Sequence, residues 1–330
     1  MKYMRKIIKI ILLICFLIYF IKQLEPYLNQ SLTLLTSLSR YRLVVFILLC
    51  SLPYLIAGLS FTLLARHYHP LTYVQGIHIA YLSMFCENTL GSIPAKAVSL
   101  LSLHHHQFSI HESLTIVIYD FLNFQLPAFI LSLLPFFPGN NFFFITYPLE
   151  IYPALLGACF NLFPLLLLFL LFSTIKLPPF ILKLYHLLFK NSHHVSFTFL
   201  SFHKVAIHKY SDLAISLLLL NILRLFIRNA LPLFAIYTLR IPIENNQILS
   251  LWLASIFLEL LLSMFPFAGK LGVAESCFVL VYSPLLNKPN AIGVMLLWRL
   301  CFYYLNTLMG ALTFFASKQV SFNEMNTYYK

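Results

Sequence analysis

Charge is what this sequence lacks. Asp, Glu, Lys and Arg make up only 10% of its 330 residues, where a soluble domain carries about 25%. No stretch is left over for a soluble domain of useful size. With only ten acidic residues, no soluble carboxylate pair suits a glycosyl or phosphoryl transferase. GxxxxGK[ST], HExxH, GxSxG and GxGxxG in its proper setting are all missing, so ATP-driven transport would need a partner protein. Cysteine spacing is equally uninformative. Cys15, Cys50, Cys86, Cys159, Cys277 and Cys301 are scattered through apolar segments without a CxxC, and read as small hydrophobes rather than disulfides or metal ligands.

What is present is lipid-like. The chain is 60% hydrophobic, with 33 Phe, 19 Tyr and a mean hydropathy of +0.85. A spanning helix needs about 20 apolar residues, and six segments qualify as full spans: Ile7–Leu24, Leu43–Ala65, Leu114–Phe136, Ile151–Phe172, Leu213–Leu239 and Ile292–Phe315. The first follows Lys2, Arg5, Lys6 and Lys9, as a signal peptide would. It is followed by Lys22, Gln23, Leu24, Glu25 and Pro26, with no small-residue cleavage site, and reads as an uncleaved span. The expected class is all-α, a polytopic integral membrane protein.

Two regions depart from simple spans. Leu71–Cys86 and Ile93–Leu103 are shorter apolar pieces separated by ENTLGSIP; Ile248–Phe265 and Leu271–Leu286 are separated by PFAGK. Short pairs interrupted by Gly or Pro in corresponding places of two halves point to a transport site. Each pair could instead be two ordinary short spans. As re-entrant hairpins they make each half span, span, hairpin, span, with halves of about 1–139 and 140–330 and the second hairpin entering from the opposite face. That is an inverted repeat within one transmembrane domain.

Lysine and arginine placement supplies the orientation. With the N-terminus cytoplasmic, twelve basic residues fall inside and five outside (Lys22, Arg40, Arg42, Arg240 and Lys288). The loop 173–212, with five lysines, dominates the bias, and both termini are expected in the cytoplasm. This loop is either an amphipathic segment on the anionic leaflet or an ordinary basic linker. Eleven of the twelve histidines also fall inside. Clusters such as His104, His105, His106 and His111 lack the ligand spacing of a metal site, and read as an interfacial polar belt. No metal or cofactor is expected.

The informative residues are the charges left at membrane depth. A charge at helix centre costs about 2.5–3.5 kcal/mol, so it usually faces a cavity or a partner. RLFIR places Arg224 and Arg228 four apart, on one helical face. Guanidinium matches phosphate through its planar donor fork. Helix breaks at Pro94 or Gly269 would free backbone N–H groups, the basis of an anion site at a half-helix start, and Lys270 would add a point charge. These residues describe a pocket for an anionic headgroup, with Asp120, Glu259 and Glu275 balancing charge or meeting a cationic headgroup, and Lys96 and Arg299 in support. Alternatively Arg224, Arg228 and Arg299 pair with Asp120, Glu259 and Glu275 to lock helices together.

FPFAGKLGVAES, with Pro266, Gly269, Gly272, Val273 and Glu275 ahead of a long apolar helix, resembles the signature of the lysylphosphatidylglycerol synthase transmembrane, or flippase-like, family. Arg299 in WRLCFYYLNTLMG matches the family's last-span arginine. LGSIPAK, with Pro94 and Lys96, resembles its Pro-Gly-Lys turn, and Asp120 falls where a span-borne Asp is common. Ala95 stands in place of the turn's glycine, Lys270 in place of Gly or Ser, and Phe121 where an arginine usually follows. The resemblance covers nearly the whole chain. It implies the flippase-like part alone, in a cell membrane of bacterial inner-membrane type. The aminoacyl-transferase domain, and with it lipid-aminoacylating activity, is not expected. The expected function is movement of an anionic phospholipid or polyprenyl-linked headgroup between leaflets, with membrane lipid as the partner and no nucleic acid. A membrane-embedded accessory subunit of cell-envelope lipid or glycan synthesis, with a partner protein, is the alternative; an intramembrane lipid transferase ranks third.

Overall fold

A computed structural model describes residues 31–137, 141–172, 195–265 and 272–316. The described residues form helices joined by short turns and contain no strand. This is the arrangement a lipid solvent enforces, because a helix satisfies its own backbone groups.

Helix α1 spans Arg40–Ala65. Helix α2, Tyr73–Leu90, begins in a reciprocal capping box, in which the Thr72 hydroxyl accepts from Gln75 N–H and the Gln75 side chain accepts from Thr72 N–H. Helix α3, Ser92–His105, follows after one residue. Helix α4, Ile110–Ser132, starts in a second capping box built from Ser109 and Glu112, and ends in a 3₁₀ turn over Leu134–Phe136. Next come a short α5, Asn141–Thr146, and α6, Ile151–Phe172. Helix α7 is long, Val195–Thr238. Then follow α8, Gln247–Ser263, α9, Val273–Leu286, and α10, Lys288–Trp298. Helix α10 continues through a π-helical segment, Arg299–Leu305, into α11, Asn306–Ala316.

Four of these are long and apolar enough to cross a membrane: Arg40–Ala65, Ile110–Phe136, Ile215–Thr238 and Lys288–Phe315. Ile151–Phe163, Gln247–Ser263 and Val273–Leu286 are shorter apolar helices. The protein is a polytopic helical membrane protein. Large apolar side chains such as Leu48, Ile130, Phe160, Leu219, Phe226 and Leu312 lie exposed on its outside, as lipid-facing residues do. The first expected span, Ile7–Leu24, lies outside the described residues, as do Pro266, Gly269 and Lys270.

Two details differ from the sequence reading. The first interrupted pair breaks at Gly91, whose φ of 106° and ψ of 176° fall in a region open essentially to glycine alone. Pro94 sits in the first turn of α3, where its missing N–H would have had no helical partner. The basic segment read as a loop enters α7 from Val195 onward, so its C-terminal part continues the span as helix.

The helices meet through small residues. A Cβ on Gly76 of α2 would fall 2.6 Å from the Gly58 carbonyl of α1, and one on Gly310 of α11 would fall 2.7 Å from the Tyr81 carbonyl of α2. Only glycine permits these approaches, and close backbone contact is the main source of helix association in lipid. The larger core joins α1, α7, α8, α9 and α10 around Phe257, Phe278 and Tyr282. A smaller one gathers Phe61, Ile79, Leu103, Phe108 and Ile116 of the first half.

Candidate functional site

Three ion pairs and one unpaired arginine account for most of the charge within the bundle. On α7, Arg228 is ion-paired to Glu259 of α8, with each side chain about one-third exposed. Between α9 and the π segment, Arg299 Nε donates to Glu275 Oε1 at 2.7 Å, and this pair is almost wholly buried. Arg299 also lies 4.3 Å from the centroid of the Tyr303 ring. Between α3 and α4, Lys96 Nζ stands 3.8 Å from Asp120 Oδ2, with the lysine side chain 41% exposed and the aspartate 10%. Asp120 Oδ1 and Glu275 Oε2 are buried without a hydrogen-bond partner.

Arg224 is different. It lies one turn before Arg228 and stacks its guanidinium 4.5 Å from the centroid of the Phe124 ring on α4. Among the described residues no carboxylate lies within ion-pair distance of it. The charged groups whose field reaches it are Asp120, Arg228 and Glu87. Cation–π contact holds the guanidinium without using its fork of donors.

A cleft of about 700 Å³, open mouth included, separates α4, α6, α7 and α8; Phe124 lines it, and Arg224 itself does not. Phe124, Gln125, Asn161, Arg228, Asn229 and Glu259 contribute to its lining. Gln125 Nε2 donates to the Asn161 carbonyl at 3.0 Å. Glu275, Asp120 and Lys96 are not on this cleft. The sequence had grouped the Arg224/Arg228 face with the turn ending at Glu275; Arg228 and Glu259 share the cleft, whereas Glu275 faces Arg299. Gln125, Asn161 and Asn229 escaped the sequence reading. Their signal was there, since neutral amides inside apolar runs mark helix contacts or cavities.

The histidines stay local. His69 Nε2 lies 3.6 Å from Glu112, and His104 Nδ1 is 2.9 Å from the Phe108 carbonyl. Among the described residues no three metal-capable side chains converge.

Gly272 begins α9 at φ 78°, without a side-chain cap. It places Glu275 in the first turn, where a carboxylate is favoured by the helix dipole. Residues 6–310 match the family described as the lysylphosphatidylglycerol synthase TM region. The chain belongs to that family. No curated protein and no solved structure matches the chain. Family membership assigns it a membrane-embedded, lipid-related role, and the Gly272–Glu275 turn and Arg299 of the family signature meet as one buried pair.

Proposed function

We propose that this lysylphosphatidylglycerol synthase-type membrane domain moves lipids with anionic headgroups between leaflets, without changing them chemically. The observation that carries the reading is Arg224. Arg228 and Arg299 are neutralised by carboxylates, while Arg224 keeps an unpaired guanidinium stacked on Phe124, a residue that lines the polar cleft. A cation at this depth is costly unless something anionic visits it, and a phosphodiester is the group its donor fork matches. Phospholipids and polyprenyl-linked lipids both offer that group. The lysine bias supports an orientation with both termini cytoplasmic.

Reconstitution of the full chain into liposomes containing fluorescent phosphatidylglycerol tests this. The wild type should expose inner-leaflet label to a membrane-impermeant quencher while lipid mass stays unchanged. Arg224→Leu should slow exposure roughly tenfold to a hundredfold, the worth of charged hydrogen bonds, with little change in melting temperature because no ion pair is broken. Arg224→Lys should fall between, keeping charge and losing the bidentate geometry. Absence of wild-type movement sinks the transport reading, and a change in lipid mass would instead indicate a transferase.

A further inference from the structure

Asp120 carries a carboxylate that its ion-pair partner only half satisfies. It is 7% exposed and lies near the middle of α4. Its Oδ1 is buried without a hydrogen-bond partner, and Lys96 Nζ stands 3.8 Å from Oδ2, beyond hydrogen-bond distance. A buried carboxylate with so little compensation is costly.

A second cation approaches from α7. Arg224 stacks on Phe124, which follows Asp120 by one turn on the same face of α4. Helical side chains lean toward the N-terminus, so the Phe124 ring covers the turn that carries Asp120. The field of the Asp120 carboxylate accordingly reaches Arg224. Stacking leaves the N–H donors of the guanidinium unspent. An acceptor with an idle oxygen and a donor with idle N–H groups thus sit about one turn apart. The competing Lys96 contact is long and 41% exposed on the lysine side, hence weak.

We infer that Asp120 is a positioning residue for the arginine site. It exchanges between Lys96, its partner in this structure, and Arg224, where it competes with an incoming phosphate. Lys96 thereby sets how much of the time the guanidinium is open. Exchange also gives a buried arginine a way to let go, because a carboxylate that replaces the departing phosphate spares it a stranded charge. This rests on the anion-binding role proposed for Arg224 and adds the residues that control it.

The test titrates the full chain in detergent with fluorescent phosphatidylglycerol. Lys96→Met leaves Arg224 as the remaining cation of the two and should weaken binding about tenfold, as the open fraction of the site falls. Asp120→Asn should tighten binding about twofold to fivefold. Fixed charges acting through space would give the same two signs, so the combination decides. Exchange requires the Lys96→Met effect to vanish in the Asp120→Asn chain; an unchanged tenfold loss there overturns the inference. Glu87→Gln removes the other carboxylate whose field reaches Arg224 and should leave the Lys96 dependence intact. Loss of that dependence would hand the role to Glu87 and overturn the inference as well. A lipid-free arm guards against folding artefacts. Arg224→Leu should lower the melting temperature more in the Lys96→Met chain than in the wild type, and this difference should disappear once Asp120 is Asn. Such coupling in a wild type that binds no lipid keeps the exchange and sinks the anion-binding reading; tight binding without coupling keeps that reading and sinks the exchange.

Discussion

In the first interrupted pair the second helix, α3, supplies Lys96, and the helix that follows, α4, supplies Asp120. In the second interrupted pair the second helix, α9, supplies Glu275, and the helix after it supplies Arg299. Both pairs are 24 residues apart (120 minus 96, and 299 minus 275). The second pair lies 179 positions after the first, as Pro232 in α7 lies after Pro53 in α1 (299 minus 120, and 232 minus 53). Both second helices begin at a glycine with positive φ and no side-chain cap, Gly91 and Gly272. Helix neighbours correspond as well. Helix α1 packs on α2 and α4, α7 packs on α8 and α10, and α1 and α7 pack on each other. The device recurs with its signs exchanged, and the copies differ in closure. Glu275–Arg299 is buried and in direct hydrogen-bond contact, while Lys96–Asp120 is longer, at 3.8 Å, and exposed on the lysine side. In a low-dielectric setting the sealed copy acts as a structural bolt. The longer, more exposed contact leaves the open copy more weakly bound and freer to exchange partners.

Breaking the sealed copy should have the largest effect. Arg299→Leu leaves Glu275 buried and uncompensated, at a cost of about 3–5 kcal/mol, read as a fall in detergent-melting stability. The double change with Glu275→Leu should restore most of the loss, because the penalty belongs to the stranded charge. No rescue would mean that the Tyr303 and Trp298 ring contacts of Arg299 carry the stability instead.

Arg228–Glu259 offers an intermediate, since its two side chains are 30% and 32% exposed. Arg228→Leu should cost about 1–2 kcal/mol, between the exposed and buried ranges, and Glu259→Leu in the same chain should recover part of it. Translocation should fall less than for Arg224→Leu. If it falls more, Arg228 and not Arg224 is the anion-binding arginine.

Sequence and structure agree on what hydropathy governs and diverge where pairing governs. Leu43–Ala65, Leu114–Phe136, Leu213–Leu239 and Ile292–Phe315 were legible as spans because lipid exposure demands long apolar runs, and each falls within a membrane-capable helix or ends within a few residues of one. The partners of three arginines and three carboxylates were not, since composition says nothing about which helix faces which. Only the fold assigns Glu259 to Arg228 and Glu275 to Arg299, leaving Arg224 on Phe124. The π segment was equally hidden, because Arg299–Leu305 reads as ordinary apolar helix. Its carbonyls at Cys301 and Phe302 are taken by the Asn306 side chain, at 3.0 and 3.1 Å, which offsets the poorer bonding of a wide turn. Asn306 is a polar residue in an apolar run, but its job depends on a backbone irregularity that no periodicity reports.

The smallest stability effect belongs to the open pair. Lys96 is 41% exposed and its Nζ is 3.8 Å from Asp120, so Lys96→Met should cost at most about 1 kcal/mol. Lys96→Glu sharpens the comparison by setting two carboxylates against each other, and should cost more than the methionine. Adding Asp120→Arg then reproduces the polarity of the second pair and should recover part of the loss, the rest being held back by the like charge of Arg224. A full return of stability together with lost translocation would show that the sign at Asp120 matters for transport alone. Failure of the double change to recover stability would mean that the halves share spacing without sharing an interchangeable environment, and the correspondence would then be one of backbone only.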